Sequence, residues 1–326
     1  MTDTSTTTAG IDAAKDKLDA AIAGQPGSWT VANCAAGWKQ LAAHFGKAGV
    51  GRVGIEATGG YERGVIRHLC AAGIEVIVLQ PLQVKAFAKL TLQRAKTDRL
   101  DAALIATCTR MIDTADQMAP DVRFEALADH LTYIEQIEED IIRFKTRLEH
   151  IVDKRRHQAV QTDITRLQKR RLKEMHLLLS AIRLHDDLAK RHALLLSIPG
   201  IGARTALALL VRMPELGHVS REAAAALAGL APFTRQSGTQ QGQARIGGGR
   251  ARLRRSLFAA ALPASFRWNP ALKQLYDRLI ARGKPHKCAL VACARKLLVF
   301  ANTVVARGTP WRDRADAAGE VQGFVT

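Results

Sequence analysis

Acidic side chains, aromatic rings and pairable cysteines are scarce in this 326-residue chain. Its 30 Asp and Glu stand against 48 Lys and Arg, a formal net charge of +18. An excess of that size calls for a polyanionic partner, most simply nucleic acid, and a small-molecule enzyme would have no need of it. Aromatics make up 5%, so the cores must be aliphatic and helix-rich. The five cysteines (Cys34, Cys70, Cys108, Cys288 and Cys293) are scattered and form no C-x-x-C pair, which excludes a disulfide framework or a zinc site. His286, Cys288 and Cys293 are close in sequence, but their run reads as one apolar helix. No stretch approaches 18 apolar residues, and the N-terminus MTDTSTTTAG has neither a basic nor an apolar signal region. The expectation is a cytoplasmic, nucleoid-associated protein with no membrane partner.

What is present is enough apolar material, 47%, for two domains and a connector. Residues 1–110 carry 13 basic and 9 acidic side chains, residues 111–193 carry 15 of each, and residues 194–326 carry 20 and 6. The C-terminal part is therefore the one built to contact phosphate. The predicted division is 1–112, an α/β domain; 113–193, a helical connector and oligomerisation arm; 194–311, a mostly helical domain; and 312–326, a disordered tail.

Residues 6–32 read as an antiparallel meander, followed by a helix over 37–46, the strand RVGIEA, the helix YERGVIRHLCAAG and the strand IEVIVLQ. That alternation predicts an α/β layer with a partly parallel sheet. Residues 82–112 look helical throughout. From Phe124, Leu127, Leu131, Ile134, Ile141, Phe144, Leu148 and Ile151 follow a near-heptad spacing. The polar stretch Asp153–Thr162 reads as a break before a second helix. The two helices fold back as a hairpin arm, which pairs either between subunits, as the spacing and mixed charge favour, or within one chain. Further helices are expected at 221–230, 251–265, 270–282 and 287–306, with a polar, Gly-rich loop at 232–250.

Four acids can converge in the α/β part. Asp12 ends the first strand, Glu56 ends a later one, and Asp98 and Asp101, three apart, share one face of a helix. Two strand-end acids with a helical pair suit two Mg²⁺ ions, because hard dications take oxygen ligands and hold the attacking and leaving oxygens of phosphoryl transfer. Taken singly, each also reads as a turn or cap residue, Asp98 for instance as an N-cap with Asp101 at N3. Asp16 and Asp19 read as solvated hairpin residues. The first strand, STTTAGID, is Thr-rich for a central position.

The blocks GIDAAKDKLD, IEATGGYE and KTDRLDA, in that order, resemble the three acidic blocks of the DEDD-type insertion-sequence transposases, the IS-one-ten family, which includes the pilin-gene invertases. The resemblance implies an RNase-H-like, RuvC-like catalytic domain with Asp12, Glu56, Asp98 and Asp101 as Mg²⁺ ligands. It continues in SIPGIGARTALALL, which looks like the helix-hairpin-helix opening that family's C-terminal domain. There Gly200 and Gly202 permit a tight hairpin and leave helix N-terminal amides outward, an anion site; a structural turn between core helices is the alternative.

The block TRQSGTQQGQARIGGGRARLRRSLF resembles the family's serine loop, which implies Ser237 as nucleophile. Six arginines, Arg235, Arg245, Arg250, Arg252, Arg254 and Arg255, surround it with no acid between them, so the loop is set against phosphate. Ser256, on an apolar-faced helix, is a poorer candidate. Lys284, Lys287 and Arg295 fit nucleic-acid contacts or a solvated helix face. The resemblance also implies double-stranded donor and target DNA, a noncoding bridge RNA that pairs with both, and dimers joined into a tetramer. The competing readings are a DNA invertase without guide RNA, a structure-specific nuclease using only the four acids and water, and a nucleic-acid-binding protein with an inactive acid cluster.

Overall fold

The structure is a computed structural model that describes residues 7–91, 98–112, 121–233, 236–237, 240–241 and 245–312. The chain divides into two compact units between residues 119 and 120.

The first unit is built on a five-stranded sheet. Strands β1 (Thr7–Ala13), β2 (Lys17–Ile22) and β3 (Trp29–Ala32) form the expected meander; α1 (Ala35–Lys47), β4 (Val50–Glu56), α2 (Arg63–Ala71), β5 (Glu75–Leu79), α3 (Pro81–Leu90) and α4 (Asp98–Met111) follow. The order is β3-β2-β1-β4-β5, antiparallel among the first three, with β4 parallel to β1 and β5 parallel to β4. Helices α1 and α2 bury Leu41, Phe45, Val65 and Leu69 against Ile11, Val53 and Ile55. On the other face, Leu104, Ile105 and Cys108 of α4 meet Val84 and Phe87 of α3 and Ile77 and Leu79 of β5. Burying each of the larger side chains stabilises the unit by about 1.5–3 kcal/mol.

The Thr-rich β1 is central after all. Its buried Thr8 donates Oγ1–H to the Ala106 carbonyl, 3.4 Å away, so the hydroxyl is not orphaned and the small strand lets α4 approach. Helix 82–112 is two helices, and residues 92–97 between them lie outside the described residues.

The second unit opens with α5 (Val122–Leu148) and α6 (Lys154–Arg183), which run antiparallel. Leu127, Leu131 and Ile134 of α5 share a core with Leu178 and Ile182 near the far end of α6, and His130 meets Glu174 at 2.9 Å. The expected break at Asp153–Thr162 is instead the first part of α6. Asp153 caps it by accepting from the Arg156 amide at 2.9 Å, and no Gly or Pro interrupts a run of good helix formers.

Next come α7 (Asp186–Leu196), α8 (Ala203–Arg212), α9 (Arg221–Leu227), β6 (Pro232–Phe233), β7 (Gln236–Ser237), β8 (Gln240–Gln241), β9 (Arg245–Ile246) and α10 (Ala251–Pro263). A π-helical turn (Ala264–Trp268), α11 (Pro270–Ala281) and α12 (His286–Arg307) complete the unit. The expected loop 232–250 forms two short antiparallel pairs, β6 with β9 and β7 with β8.

Helix α12 comes nearest to a membrane-spanning composition among the described residues, although charged residues keep its apolar runs well short of 18. It has 22 residues, and an 18-residue stretch of it reaches a mean hydropathy of 1.7, so it is long and apolar enough by length and composition alone. Its Leu290, Cys293, Leu297, Leu298 and Ala301 are nonetheless buried in the second unit's core, and Arg295 and Lys296 interrupt it, so it is a core helix. All five cysteines are free thiols. The segment 313–326, expected as a tail, lies outside the described residues.

Candidate active site

Two of the four acids stand side by side because of strand register. Gly10 pairs with Gly54 and Ile11 with Ile55 along the parallel β1–β4 ladder, so Asp12 and Glu56 come next on adjacent strands, at the edge where both strands end. Alternation puts both on the face that carries Gly10 and Gly54, and both are partly buried.

Helix α4 lies directly on that face, and the two glycines are the reason it can. A Cβ on Gly10 would strike the Ala102 carbonyl and the Ala106 amide, and one on Gly54 would coincide with the Thr109 hydroxyl. Thr109 Oγ1 instead donates to the Ile105 carbonyl at 2.6 Å. Because Ala106 lies over Thr8 and Ala102 over Gly10, the helix runs with its N-terminal end toward the Asp12 end of β1. Asp101, partly buried, sits one residue before Ala102, and α4 begins at Asp98, which is described by its backbone alone. The fold thus brings Asp12, Glu56 and Asp101 to one end of the sheet, with Asp98 on the adjoining turn.

Three further residues build this edge and were not picked out from sequence. Asp19, expected to be solvated, is only 4% exposed and pairs directly with Asp12 across β1–β2. It accepts from Thr30 Oγ1, and Lys17 Nζ lies 3.0 Å away, so the buried charge is compensated. Counting outward from the β1–β2 turn would have placed it there. Glu62 accepts from the Gly60 amide at 2.8 Å and from the Thr58 hydroxyl at 3.0 Å, which shapes the loop leaving Glu56. Asn33 donates Nδ2–H to the carbonyls of Ala14 and Tyr61, each at 2.9 Å, and so braces the two loops that follow the acid-bearing strands.

In the second unit, Gly200 has φ +97° and packs so tightly on Ala264 that a Cβ would overlap it. Asn269 Nδ2 donates to the neighbouring Pro199 carbonyl at 3.1 Å. Gly202 is exposed, N-caps α8 and has open space where a Cβ would be. The tight turn is therefore structural at Gly200 and open at Gly202. Ser237 is placed by its backbone in β7, opposite Gln240.

The six arginines divide. Arg250 holds Glu215 through Nη1 at 2.8 Å and Nη2 at 2.6 Å. Arg252 reaches buried Glu135 at 2.6 Å, which also receives Arg212 at 2.5 Å and Arg204 at 3.1 Å. Burial pushes the Glu135 carboxyl up, but hydrogen bonds from Arg212 and Arg252 outweigh it and hold the group below the usual range. Arg254 donates to the Gly248 carbonyl at 2.6 Å. Arg255 lies 3.6 Å from Glu139 and is mostly exposed, as is Arg245 on β9. Arg235 lies outside the described residues. Arg204, Arg252, Arg255 and Ser256 line a cavity of about 310 Å³ between α5, α8 and α10.

The donor chemistry at the sheet edge is all carboxylate oxygen, which suits Mg²⁺ and disfavours soft or borderline metals. Among the described residues no three His, Cys, Asp or Glu side chains gather as a metal site. Asp98, the fourth acid expected there, has its side chain outside the described residues.

Residues 9–156 match the DEDD transposase domain of the IS110 type, described as Transposase, and residues 192–277 match the Transposase IS116/IS110/IS902 family. The pilin gene-inverting protein of Moraxella bovis is 30% identical over 94% of this chain and 97% of its own length, and that of Moraxella lacunata matches at the same identity and coverage. The insertion element IS110 uncharacterized 43.6 kDa protein of Streptomyces coelicolor is 37% identical over 39% of this chain and 32% of its own.

Proposed function

This chain belongs to the IS110 family of transposases, whose DEDD domain is RNase H-like and uses a divalent metal, and is a DNA-cutting and rejoining enzyme; from that premise we propose that it is a site-specific recombinase acting through a serine nucleophile. The observation that carries the reading is the placement of Asp12 beside Glu56, with α4 seated on two glycines so that Asp101 arrives at the same edge. Asp12, Glu56, Asp98 and Asp101 would hold Mg²⁺, two ions per site. The bound metal would neutralise the charge that develops on the scissile phosphate.

Ser237 Oγ attacks the phosphorus. The Oγ–P bond forms as the P–O3′ bond breaks, and the hydroxyl proton ends on the departing 3′ oxygen. The product is a 5′-phosphoserine link and a free 3′-OH, which in turn attacks the same kind of link on the partner strand, so strand exchange passes through a junction. The arginine-rich segment around Ser237 supports this, because Arg245 and Arg255 keep exposed guanidinium groups for phosphate.

The α5–α6 hairpin serves as the oligomerisation arm, dimers pair into a tetramer on donor and target DNA, and acids and serine come from different subunits. The 194–311 domain, entered through the helix-hairpin-helix turn with Gly202 open to a backbone phosphate, carries the nucleic-acid contacts. A bridge RNA supplies target choice by base pairing, as the net charge of +18 allows.

A second reading, DNA inversion without a guide RNA, is favoured by the full-length relatives named for inverting a pilin gene. Purifying the protein with its gene's native flanking DNA and sequencing the RNA that accompanies it separates the two. One discrete species from the flank supports guidance, and none supports direct DNA recognition. The nucleophile is tested separately: wild type should leave a covalent protein–DNA adduct on a suicide substrate, and an adduct of equal yield from Ser237→Ala would overturn the assignment.

A further inference from the structure

Three rings in the second unit form an aromatic cluster at the surface that the proposed serine chemistry does not use. Phe266, on the π-helical turn, and His286, at the start of α12, are close to parallel, 20° apart with centroids separated by 6.4 Å. Tyr276 of α11 stands edge-on to both, at 69° to Phe266 and 83° to His286. Its hydroxyl meets His286 Nδ1 at 2.6 Å, which holds the His286 ring in place. Phe266 is 47% exposed, and His286 is exposed as well. Phe266 and His286 thus present ring surface to solvent that a partner can cover.

Exposed aromatic faces suit either a cation or a flat ring. The surroundings decide between them. Arg267, Arg278, Arg282, Lys284 and Lys287 are all exposed on the same three elements and the turn between α11 and α12, and the one acid between Ala264 and Lys296, Asp277, is held by Lys273 at 3.0 Å. A field of that sign repels a cation and attracts a flat ring that carries its own negative charge. The 6.4 Å between the Phe266 and His286 centroids is less than the about 7 Å that a sandwiched ring needs, so the base stacks on an exposed ring face rather than between the two.

We propose that Phe266, Tyr276 and His286 form a stacking site for an unpaired nucleobase of a single-stranded segment, whose flanking phosphates lie against Arg267, Arg282 and Lys284. The inference rests on the nucleic-acid reading above but is independent of its serine chemistry. The ring cluster is also tied to the tight turn before α8. Asn269 N-caps α11 by accepting from the Leu272 amide at 3.1 Å and donates to Pro199, while Ala264 packs on Gly200. A hydrogen bond and a packing contact therefore join the base site to the turn.

The test uses the full-length protein and three labelled probes: an oligouridine, an oligodeoxythymidine and a blunt DNA hairpin. Stacking on an aromatic is worth about 1–3 kcal/mol per base by alanine substitution, or roughly 5- to 150-fold in affinity. Phe266→Ala is expected to weaken one or both single strands by at least fivefold and the hairpin by less than twofold, while Phe266→Trp retains single-strand binding. The strand more affected identifies the source of the base, RNA or DNA. Equal losses on all probes, or none, would overturn the proposal. So would a changed sedimentation coefficient with unchanged single-strand affinity, because a second copy of the chain would then be what covers the rings. Failure here leaves the Ser237 adduct test untouched, and the reverse holds too.

Discussion

Asp12 and Asp19 stand directly opposite each other on neighbouring antiparallel strands, on one face of the sheet. Like charges in that position repel, and the fold answers by giving Asp19 its own partners, Thr30 and Lys17. The two acids should therefore separate experimentally. Asp12→Asn is expected to lower DNA cleavage at least about a hundredfold with little change in melting temperature, since it removes a charge from the reacting edge. Asp19→Asn is expected to cost about 1–3 kcal/mol of stability, the penalty for a disturbed buried hydrogen bond. Denaturant titration and a cleavage assay on both variants check the pair; equal behaviour would refute the distinction.

The seat of α4 gives a test with an internal control. Gly10→Ala and Gly54→Ala each force overpacking, worth about 1–3 kcal/mol, and each should shift Asp101 and reduce cleavage. The neighbours differ in kind. Gly54 faces the side chain of Thr109, whereas Gly10 faces the backbone of Ala102 and Ala106. Thr109→Ala should accordingly restore part of the stability and activity lost by Gly54→Ala, and no single side-chain truncation should rescue Gly10→Ala. Melting curves of the four variants measure this.

Much of this architecture was legible in the chain. Alternating apolar residues and turn signals are local, so the meander, β4, β5 and the C-terminal helices could be read directly. The acids could be read because Asp12 and Glu56 each close an apolar strand, and Asp98 and Asp101 share a helical face. What could not be read depends on register and on long-range partners. Asp19 looks like a hairpin residue until the β1–β2 pairing puts it opposite Asp12. The arginines around Ser237 look uniformly free in sequence, because Glu135 and Glu215, which hold Arg252 and Arg250, lie far away along the chain. The polar start of α6 looks like a break because charge density resembles a loop when its cap and the helix propensity of Lys and Arg are given too little weight.

Glu135 links three arginines from α8 and α10 to α5, and its ionisation should show in stability. Its carboxyl is held below its ordinary value in the folded protein, so its stabilising contribution is present above the unfolded value of about 4.3 and is lost as pH falls through the lower folded value. Glu135→Gln removes the charge and leaves the arginines uncompensated. The variant should be less stable than wild type at pH 7 by roughly 3–5 kcal/mol, the cost of breaking one partner of a buried pair, and the gap should narrow as pH drops below about 4.3. Urea titrations of both proteins at pH 7 and at acid pH measure it; a gap independent of pH would refute the assignment.

The hairpin arm leaves large apolar side chains uncovered, with Ile142 64% and Val152 96% exposed and Leu172 half exposed. Single exposed apolar residues are ordinary, but several along one antiparallel helix pair that also carries both signs of charge suit pairing with a second copy. If the arm joins subunits, Ile142→Glu combined with Leu172→Glu should shift the sedimenting species to smaller mass at micromolar concentration. Surface substitutions of this kind usually change stability by no more than about 0.5 kcal/mol, so thermal unfolding of the isolated subunits should be nearly unchanged. Strand joining should fall with the loss of assembly, whereas binding of a short duplex by one subunit should persist. An unchanged sedimentation profile would place the subunit contact elsewhere on the molecule.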